Sequence, residues 1–202
     1  MTGNPDYTNI PSIGKCYQII KQNRMLPNIL QHSNQVARVA CVIVDNLNDD
    51  IKLNKDLVIA ASLLHDITKT RAISTYEPHD ITGGKVLREY GLYEIAAIVE
   101  DHIELKNFQP DEIVNENEIV YYADKRVMHR KIVSLKERIK DVAKRYATTP
   151  IVKKALVKKL DIAFEVEKKI AEFLKKDINK LFQGIEEDHT PLVTASTTKL
   201  KI

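Results

Sequence analysis

Residues 55–69 read KDLVIAASLLHDITK, and this stretch decides the fold. It is apolar on nearly every side, which is typical of a helix buried at the centre of a helical domain. Asn54 precedes it and is a good N-cap residue. His65 and Asp66 fall in the predicted last turn, where a buried carboxylate is costly unless it is paired or bound to a metal. The stretch therefore predicts a central helix whose C-terminal end carries a mixed nitrogen and oxygen metal site.

The sequence on both sides of this stretch is also helical in pattern. Apolar residues recur at spacings of three and four, and no segment alternates with period two for long enough to form a sheet. We therefore predict an all-α fold of about seven or eight helices. The break at Pro27-Asn28 predicts that Asn28 caps the second helix. The other predicted helices span 11–25, 29–47, 79–90, 92–104, 118–129, 134–146 and 150–182.

The chain divides into three predicted parts. Residues 1–148 form a helical metal-binding domain, residues 149–184 form a long C-terminal helix packed on it, and residues 185–202 form a flexible tail. The long helix carries lysine pairs between apolar residues, as an amphipathic helix requires, so we predict that these lysines face solvent. The pairs are Lys153-Lys154, Lys158-Lys159, Lys168-Lys169 and Lys175-Lys176.

The composition is typical of a globular protein that folds around its own core. The chain has 202 residues, of which 44% are hydrophobic and 29% are charged. It has no run of about 18 apolar residues, so no membrane span is predicted. The N-terminus lacks a basic segment followed by an apolar one, so no secretory signal is predicted either. Cys16 and Cys41 form no CxxC motif, which favours a cytoplasmic, reducing compartment.

The charge is distributed unevenly along the chain. Residues 1–124 hold 18 acidic and 11 basic side chains, whereas residues 125–182 hold 7 acidic and 18 basic ones. Such asymmetry occurs at anion-binding faces, but it also occurs on long helices with a solvated charged side, which is the interpretation we favour. The basic region has few aromatic residues on which bases could stack, and this argues against nucleic acid as a partner.

Four further residues extend the pattern around His65 and Asp66. His32 lies on the apolar stripe of the second predicted helix, and Asp124 lies inside the buried pattern VYYADK. Any one of these side chains is explained by a hydrogen bond in the core. Several ionisable groups that face one interior from different helices need a shared partner, and iron, manganese, nickel, cobalt and zinc all accept imidazole and carboxylate together. The four residues are His32, His79, His102 and Asp124.

In order, the set reads H…HD…H…H…D, and residues 25–130 resemble the HD superfamily of metal-dependent phosphohydrolases. Members of that superfamily are α-helical and carry the ordered signature H…HD…D. His32, His65-Asp66 and Asp124 match it in order and in helical context. The segment HDITK is similar to the HDIGK form of the motif, with Thr68 where glycine is common. The resemblance implies an HD-domain helical bundle that binds divalent transition-metal ions.

The two additional histidines resemble the second-metal ligands of dinuclear members. The similarity is to the small bacterial HD hydrolases that split diadenosine tetraphosphate symmetrically. It rests on His79 with Gly83 in PHDITGGKVL, on His102 in VEDHI, and on Ala123-Asp124. The sequence KRVMHRKIVSLKERIK that follows Asp124 departs from that group, which leaves the diadenosine substrate open.

The resemblance assigns a role to each residue. Asp66 would bridge two metal ions roughly 3.5–4 Å apart, and a hydroxide held by these ions would attack phosphorus. His32, His65 and Asp124 would complete one ion, and His79 and His102 the other. Asp66 and Lys69 are thus the candidate catalytic residues, with Lys69 neutralising charge on the substrate phosphate. An ordinary lysine at a helix C-terminus explains Lys69 equally well.

Arg126 and Arg130 follow Asp124 and are candidate phosphate-binding residues, although a solvated basic face is the interpretation we favour. The expected function is hydrolysis of a phosphoester or phosphoanhydride bond in a nucleotide or related small molecule. One alternative is a mononuclear HD phosphatase or nucleotidase, in which His79 and His102 contact substrate or are structural. Another is a non-catalytic scaffold that binds RNA or protein through its basic C-terminal region. A small phosphorylated substrate is the expected partner, and a homodimer is left open.

Overall fold

Helix α3 (Lys55–Leu64) lies at the centre of the structure, as its apolar sequence predicts. Every residue from Leu57 to Leu64 except Ile59 is buried, and α3 packs against four other helices. The side chain of Asn54 caps it by accepting a hydrogen bond from the Leu57 backbone N–H at 3.1 Å. His65 and Asp66 therefore follow directly after a helix that is largely buried.

The computed structural model describes residues 9–146, 149–178, 180–185 and 191–192. Within these ranges nine helices and one short hairpin form the regular structure, which confirms the prediction of an all-α fold. None of the described helices is both long enough and apolar enough to cross a membrane. The elements besides α3 are α1 (Ile13–Gln22), α2 (Pro27–Asp45), α4 (Lys69–Thr75), α5 (His79–Glu89), α6 (Tyr93–Asp101), α7 (Glu116–Arg126), β1 (Val127–Met128), β2 (Lys131–Ile132), α8 (Leu135–Tyr146) and α9 (Pro150–Glu172).

The central helix ends earlier than predicted. Residues 65–68 form a turn between α3 and α4, so His65 and Asp66 follow the helix rather than occupying its last turn. Backbone hydrogen bonds from Ile67 to the Leu64 carbonyl and from Lys69 to the Asp66 carbonyl, both 3.0 Å long, tighten the chain here. Adjacent helical side chains point about 100° apart, and the turn removes that restriction.

Several other helix ends also differ from the sequence prediction. Helix α2 begins at Pro27, which occupies the first turn, so Leu26 rather than Asn28 is the N-cap residue. Helix α6 ends at Asp101 instead of 104. Helix α7 begins at Glu116 rather than at the predicted residue 118, because Asn115 and Glu118 form a reciprocal capping box.

The prediction that no strand occurs is wrong at one place. Strands β1 and β2 pair antiparallel, with Val127 opposite Ile132 and Met128 opposite Lys131. The turn between them places His129 in the left-handed region at φ 58°. Strands of two residues are too short to show period-two alternation, which explains why the pattern gave no signal.

Helices α5 and α6 pack at unusually close range, as the glycines of α5 predict. A Cβ atom added at Gly83 would lie 3.1 Å from the Val99 side chain, and one at Gly84 would lie 2.3 Å from Glu100 Oε1. A larger residue at position 84 would therefore collide with the Glu100 side chain on α6 unless that side chain moves. The close packing fixes the start of α5 against the end of α6, and these two points carry His79 and His102.

The C-terminal helix is shorter than predicted. Helix α9 ends at Glu172 because the chain then pairs with the segment after α2. The Asn48 N–H donates to the Phe173 carbonyl at 2.8 Å, and the Lys175 N–H donates to the Asn46 carbonyl at 2.9 Å. The division at residues 148 and 184 stays a prediction.

The lysines of this region do not all face solvent. Lys169 is buried, and its ammonium contacts Glu118 Oε1 at 2.8 Å, so the prediction is wrong at this residue. Lys168, Lys175 and Lys176 are exposed as predicted. The side chains of Lys153-Lys154 and Lys158-Lys159, and most of the predicted tail 185–202, lie outside the described residues. Within that tail, the Leu192 N–H donates to the Tyr17 hydroxyl at 2.7 Å.

Candidate metal centre

Asp66 lies at the centre of a group of ionisable side chains from four parts of the chain. Its Oδ2 atom lies 3.3 Å from His65 Nε2 and 4.0 Å from His32 Nε2. Asp124 completes this side of the group, with Oδ1 2.9 Å from His32 Nε2 and 3.6 Å from His65 Nε2. Helix α2, the turn after α3 and helix α7 thus bring four predicted residues together in the interior.

The second oxygen of Asp66 faces two other histidines. Asp66 Oδ1 lies 3.2 Å from His79 Nε2 and 3.6 Å from His102 Nε2. His32, His65 and Asp66 form one group spaced closely enough to hold a metal ion, and Asp66, His79 and His102 form another. One carboxylate therefore presents a separate oxygen to each group.

Thr68 helps to place His79 in the second group. Its hydroxyl donates to the His79 carbonyl at 2.8 Å and lies 3.0 Å from the Thr82 hydroxyl. The turn that carries His65 and Asp66 is thereby tied to the first turn of α5. The threonine that departs from the HDIGK form thus supplies a contact that glycine cannot make.

The three buried histidines of the site share one hydrogen-bonding pattern. Each has its Nδ1 atom within hydrogen-bonding distance of a backbone carbonyl, and a carbonyl can only accept. The single proton of a neutral imidazole is therefore on Nδ1, which leaves the Nε2 lone pair aimed at carboxylate oxygens. Metal-binding histidines are commonly oriented in this way. The contacts are His32 to His129 at 3.1 Å, His65 to Ser62 at 2.8 Å and His102 to Val99 at 2.6 Å.

Two acceptor atoms at the centre of the site have no donor to pair with in the part of the chain that the structure describes. His65 Nε2 and Asp66 Oδ1 are both buried and have no hydrogen-bond partner among the described residues. An imidazole lone pair and a carboxylate oxygen that face each other repel unless a proton or a metal ion lies between them. The donor set of imidazole nitrogens and carboxylate oxygens suits a divalent transition metal. The residues present therefore fit a metal ion.

Asp66, Asp124 and His102 have the ionisation states of metal ligands, whereas His65 holds a proton that a metal ion would displace. Burial opposes the charge on His65, but Asp66 and Asp124 raise its pKa to about 10. Burial opposes the charge on Asp66, but His65 and Lys69 hold the pKa of its carboxyl well below its usual range. Burial likewise opposes the charge on Asp124, but Lys125, together with His32 and His65, holds the pKa of this carboxyl well below its usual range. Burial lowers the pKa of His102 to about 4, which keeps this imidazole neutral. Ionised carboxylates and a neutral imidazole are the forms that bind metal.

Lys69 lies beside the centre at its solvent side. Its ammonium contacts Asp66 Oδ2 at 2.7 Å, and 40% of its side chain is exposed. His79 has 22% of its side chain exposed, whereas the side chains of His65 and Asp66 are fully buried. The start of α4 and the start of α5 therefore form the open side of the site.

The two candidate arginines occupy different environments. Arg126 is buried, so the interpretation as a solvated basic residue is wrong there. Its guanidinium donates to the Val133 carbonyl at 2.6 Å and to the Tyr122 hydroxyl, and lies 3.3 Å from Glu167 on α9. These contacts leave Arg126 engaged within the fold rather than open to substrate. Arg130 is exposed in the hairpin turn, where its predicted phosphate contact stays a prediction.

The sequence analysis did not predict two groups that hold the candidate ligands in place. The ammonium of Lys125 contacts Asp124 Oδ2 at 2.8 Å, and the hairpin turn supplies the carbonyl that accepts from His32. Lys125 follows Asp124 directly, so an adjacent cation was available as a signal. The carbonyl of His129 gave no signal in the sequence, because a residue of any type at position 129 has a backbone carbonyl.

A buried group of histidines and aspartates that several helices share, built around an HD dipeptide, is typical of a class of metal-dependent hydrolases. Residues 29–128 match the HD domain family, and the chain belongs to the HD-domain superfamily. This finding confirms the resemblance predicted from the histidine and aspartate pattern.

Two curated relatives match parts of the chain. A tRNA (cytidine(56)-2'-O)-methyltransferase of Picrophilus torridus is 29% identical over an alignment of 143 residues. The match covers 63% of this chain and 40% of the relative. An uncharacterized protein of Clostridium beijerinckii is 30% identical over 69 residues, which is 34% of this chain and 43% of the relative. The chain thus spans less than half the length of either relative. No solved structure matches it significantly.

Proposed function

We propose that the protein is a metal-dependent phosphohydrolase that cleaves a phosphoester or phosphoanhydride bond in a nucleotide or related small molecule. The observation that carries this proposal is the position of Asp66, whose two oxygens face two separate sets of histidine nitrogens. Membership of the HD superfamily supports the coarser statement that the protein is a metal-dependent hydrolase.

The residues that would hold metal fall into two groups that share Asp66. His32, His65 and Asp124 would hold one ion, and His79 and His102 would hold the other, with iron, manganese, nickel, cobalt and zinc all compatible with these ligands. When bound, divalent metal ions supply Lewis-acid activation of a water molecule and of the phosphoryl oxygens.

The protein's own side chains would bind and orient the substrate. A phosphate that enters from the open side meets Lys69, whose ammonium is already oriented by Asp66 at 2.7 Å. A preorganised cation at this point stabilises negative charge that develops on the phosphoryl oxygens. The burial of His65, Asp66 and His102 keeps bulk water from the inner side of the site.

Elemental analysis of the purified protein, followed by a screen of phosphate esters and anhydrides with the metal found, tests the proposal. We expect divalent transition metal in the protein and hydrolysis that chelation abolishes. A protein that binds no transition metal when it is supplied, or that hydrolyses no phosphorylated compound when metal is bound, would contradict the proposal.

The number of metal ions is tested by replacing one histidine. We expect two equivalents of metal per chain in the wild type and about one in His102→Ala, because only the second group loses a neutral ligand. His129→Asn is the matched control, since the His129 side chain is exposed and only its carbonyl contacts the site. One equivalent in the wild type, unchanged in His102→Ala, would favour the mononuclear alternative.

A second candidate function is RNA binding. The sequence argued against nucleic acid as a partner, but two observations favour it. One relative that matches 63% of this chain is named as a tRNA-modifying enzyme. Helix α8 carries Lys136, Lys140 and Lys144 on one face, all exposed, and none forms an ion pair with a carboxylate among the described residues. Like charges at a spacing of four residues weaken a helix, so a row of this kind favours a polyanionic partner.

Filter binding of tRNA at two salt concentrations tests this candidate. If the row binds RNA, changing all three lysines to glutamine weakens binding and lowers the slope of log affinity against log salt by about 2, since each phosphate contact releases counterions. The control changes the exposed Lys15, Lys52 and Lys85 to glutamine, which removes the same charge elsewhere. Equal losses in both triple variants, or no binding by the wild type, would reject the candidate.

A further inference from the structure

Lys125 is a buried cation within the metal centre, and the expected role of a lysine near a phosphate site does not account for it. Its side chain is 11% exposed, compared with 40% for Lys69, so it is not placed to meet a substrate. It belongs to the last turn of α7, directly after Asp124.

The ammonium of Lys125 has a partner for each of its three N–H groups. One contacts Asp124 Oδ2 at 2.8 Å and another donates to the His102 backbone carbonyl at 2.7 Å. The nitrogen also lies 4.5 Å from the centre of the Tyr121 ring, a distance typical of a cation–π contact. A lysine with these three partners is held in one position.

The contact with Asp124 decides which oxygen of that carboxylate faces the metal site. Lys125 occupies Oδ2, and Oδ1 is left 2.9 Å from His32 Nε2 and 3.6 Å from His65 Nε2. Without the lysine, rotation of the carboxylate would exchange the two oxygens or present both of them. Lys125 thus fixes Asp124 as a ligand through a single oxygen.

The contact with the His102 carbonyl connects the same ammonium to the other ligand group. His102 follows the last residue of α6, so no further helical turn restrains its backbone. Its imidazole faces Asp66 Oδ1, whereas Asp124 faces His32 and His65. Lys125 therefore joins a ligand of the first group to the backbone of a ligand of the second.

We infer that Lys125 is a positioning residue that couples the two ligand groups of the metal centre. A lysine this close to a metal ligand repels the metal, so a purely electrostatic neighbour would increase metal affinity when removed. A positioning residue has the opposite effect, because its loss frees both Asp124 and His102. Loss of such outer partners typically lowers metal affinity by about 10- to 100-fold. The inference rests on the proposed function, since it assumes that both groups hold metal.

Calorimetric titration of the metal-free full-length chain with Mn²⁺ tests the inference. In Lys125→Met we expect the affinity for both equivalents to fall by about 10- to 100-fold. Lys69→Met is the matched control. It removes the ammonium that contacts Asp66, and the affinity of this variant for Mn²⁺ should stay the same or rise. Circular dichroism establishes that each variant is folded. Lys125→Gln, which keeps a hydrogen-bond donor without the charge, is titrated in parallel and should lose less affinity.

The outcomes separate this inference from the proposed function. If the wild type binds neither Mn²⁺ nor iron, cobalt, nickel or zinc ions titrated in its place, both fail. If the wild type binds two equivalents and a folded Lys125→Met variant binds them with unchanged or higher affinity, only the inference on Lys125 is overturned. Equal losses in Lys125→Met and Lys69→Met would also overturn it, because the loss would then not depend on the contacts that are particular to Lys125. A single equivalent in the wild type removes the second group and overturns the coupling.

Discussion

Replacing Asp66 with alanine is expected to reduce hydrolysis to the background rate and to remove both equivalents of metal. The reason is geometric: each oxygen of Asp66 faces a different set of histidine nitrogens, so one substitution removes a ligand from both groups. Loss of Asp124 removes a ligand from the first group alone, so Asp124→Ala should retain about one equivalent. Metal per chain and the rate with a substrate from the ester screen are the two measurements.

Asp45→Ala is the control for this experiment. Asp45 is half-exposed and pairs with Lys55 at 2.6 Å on the surface, so its loss should change neither metal content nor rate. Asp66→Asn keeps the shape of the side chain and guards against a variant that does not fold. A folded Asp66 variant that keeps two equivalents of metal would show that Asp66 does not join the groups.

Lys69→Ala should lower turnover by a factor on the order of 10² or more while metal content stays at the wild-type level, because one preorganised charge-stabilising donor is lost. The Lys69 ammonium lies 2.7 Å from Asp66 Oδ2, and 40% of the Lys69 side chain is exposed at the open side of the site. Turnover at saturating substrate, measured with elemental analysis on the same preparation, separates a substrate role from a metal role.

Lys55→Ala is a close match for Lys69→Ala. The Lys55 side chain is 42% exposed and pairs with an aspartate, as that of Lys69 is 40% exposed and pairs with Asp66. We expect wild-type turnover for Lys55→Ala. If Lys69→Ala also keeps wild-type turnover, Lys69 is an ordinary surface lysine, and the substrate phosphate is held by other residues such as Arg130.

The sequence was enough to predict which residues meet. Apolar neighbours identified His32, His65, Asp66 and Asp124, and the resemblance to dinuclear members added His79 and His102. His32 and Asp124 lie far apart in sequence, yet the apolar stripes of their helices point to the same interior. Burial of an ionisable group is visible in sequence when its neighbours along the helix are apolar. The resemblance to the HD signature then ordered these residues into a site.

The errors occurred where tertiary contacts overrule local pattern. The sequence around Leu64 contains no residue that ends a helix. The turn at His65 and Asp66 is stabilised instead by a tertiary contact, in which the Thr68 hydroxyl donates to the His79 carbonyl. Arg126 and Lys169 were assigned to solvent because charged residues usually lie there. Each is buried because a partner from a distant helix neutralises it: Glu167 for Arg126 and Glu118 for Lys169.

These two ion pairs connect the matched segment to a helix that lies beyond its end. The matched segment ends at residue 128 and holds all six candidate ligands, yet the rear of α7 rests on α9. Glu118 and Arg126 sit at the two ends of α7, and each meets its counter-ion on α9. Helix α9 thus supports helix α7, which presents Asp124, through an ion pair near each end of α7. A shorter polypeptide bounded by the signature would carry every ligand and lack the support that aligns one of them.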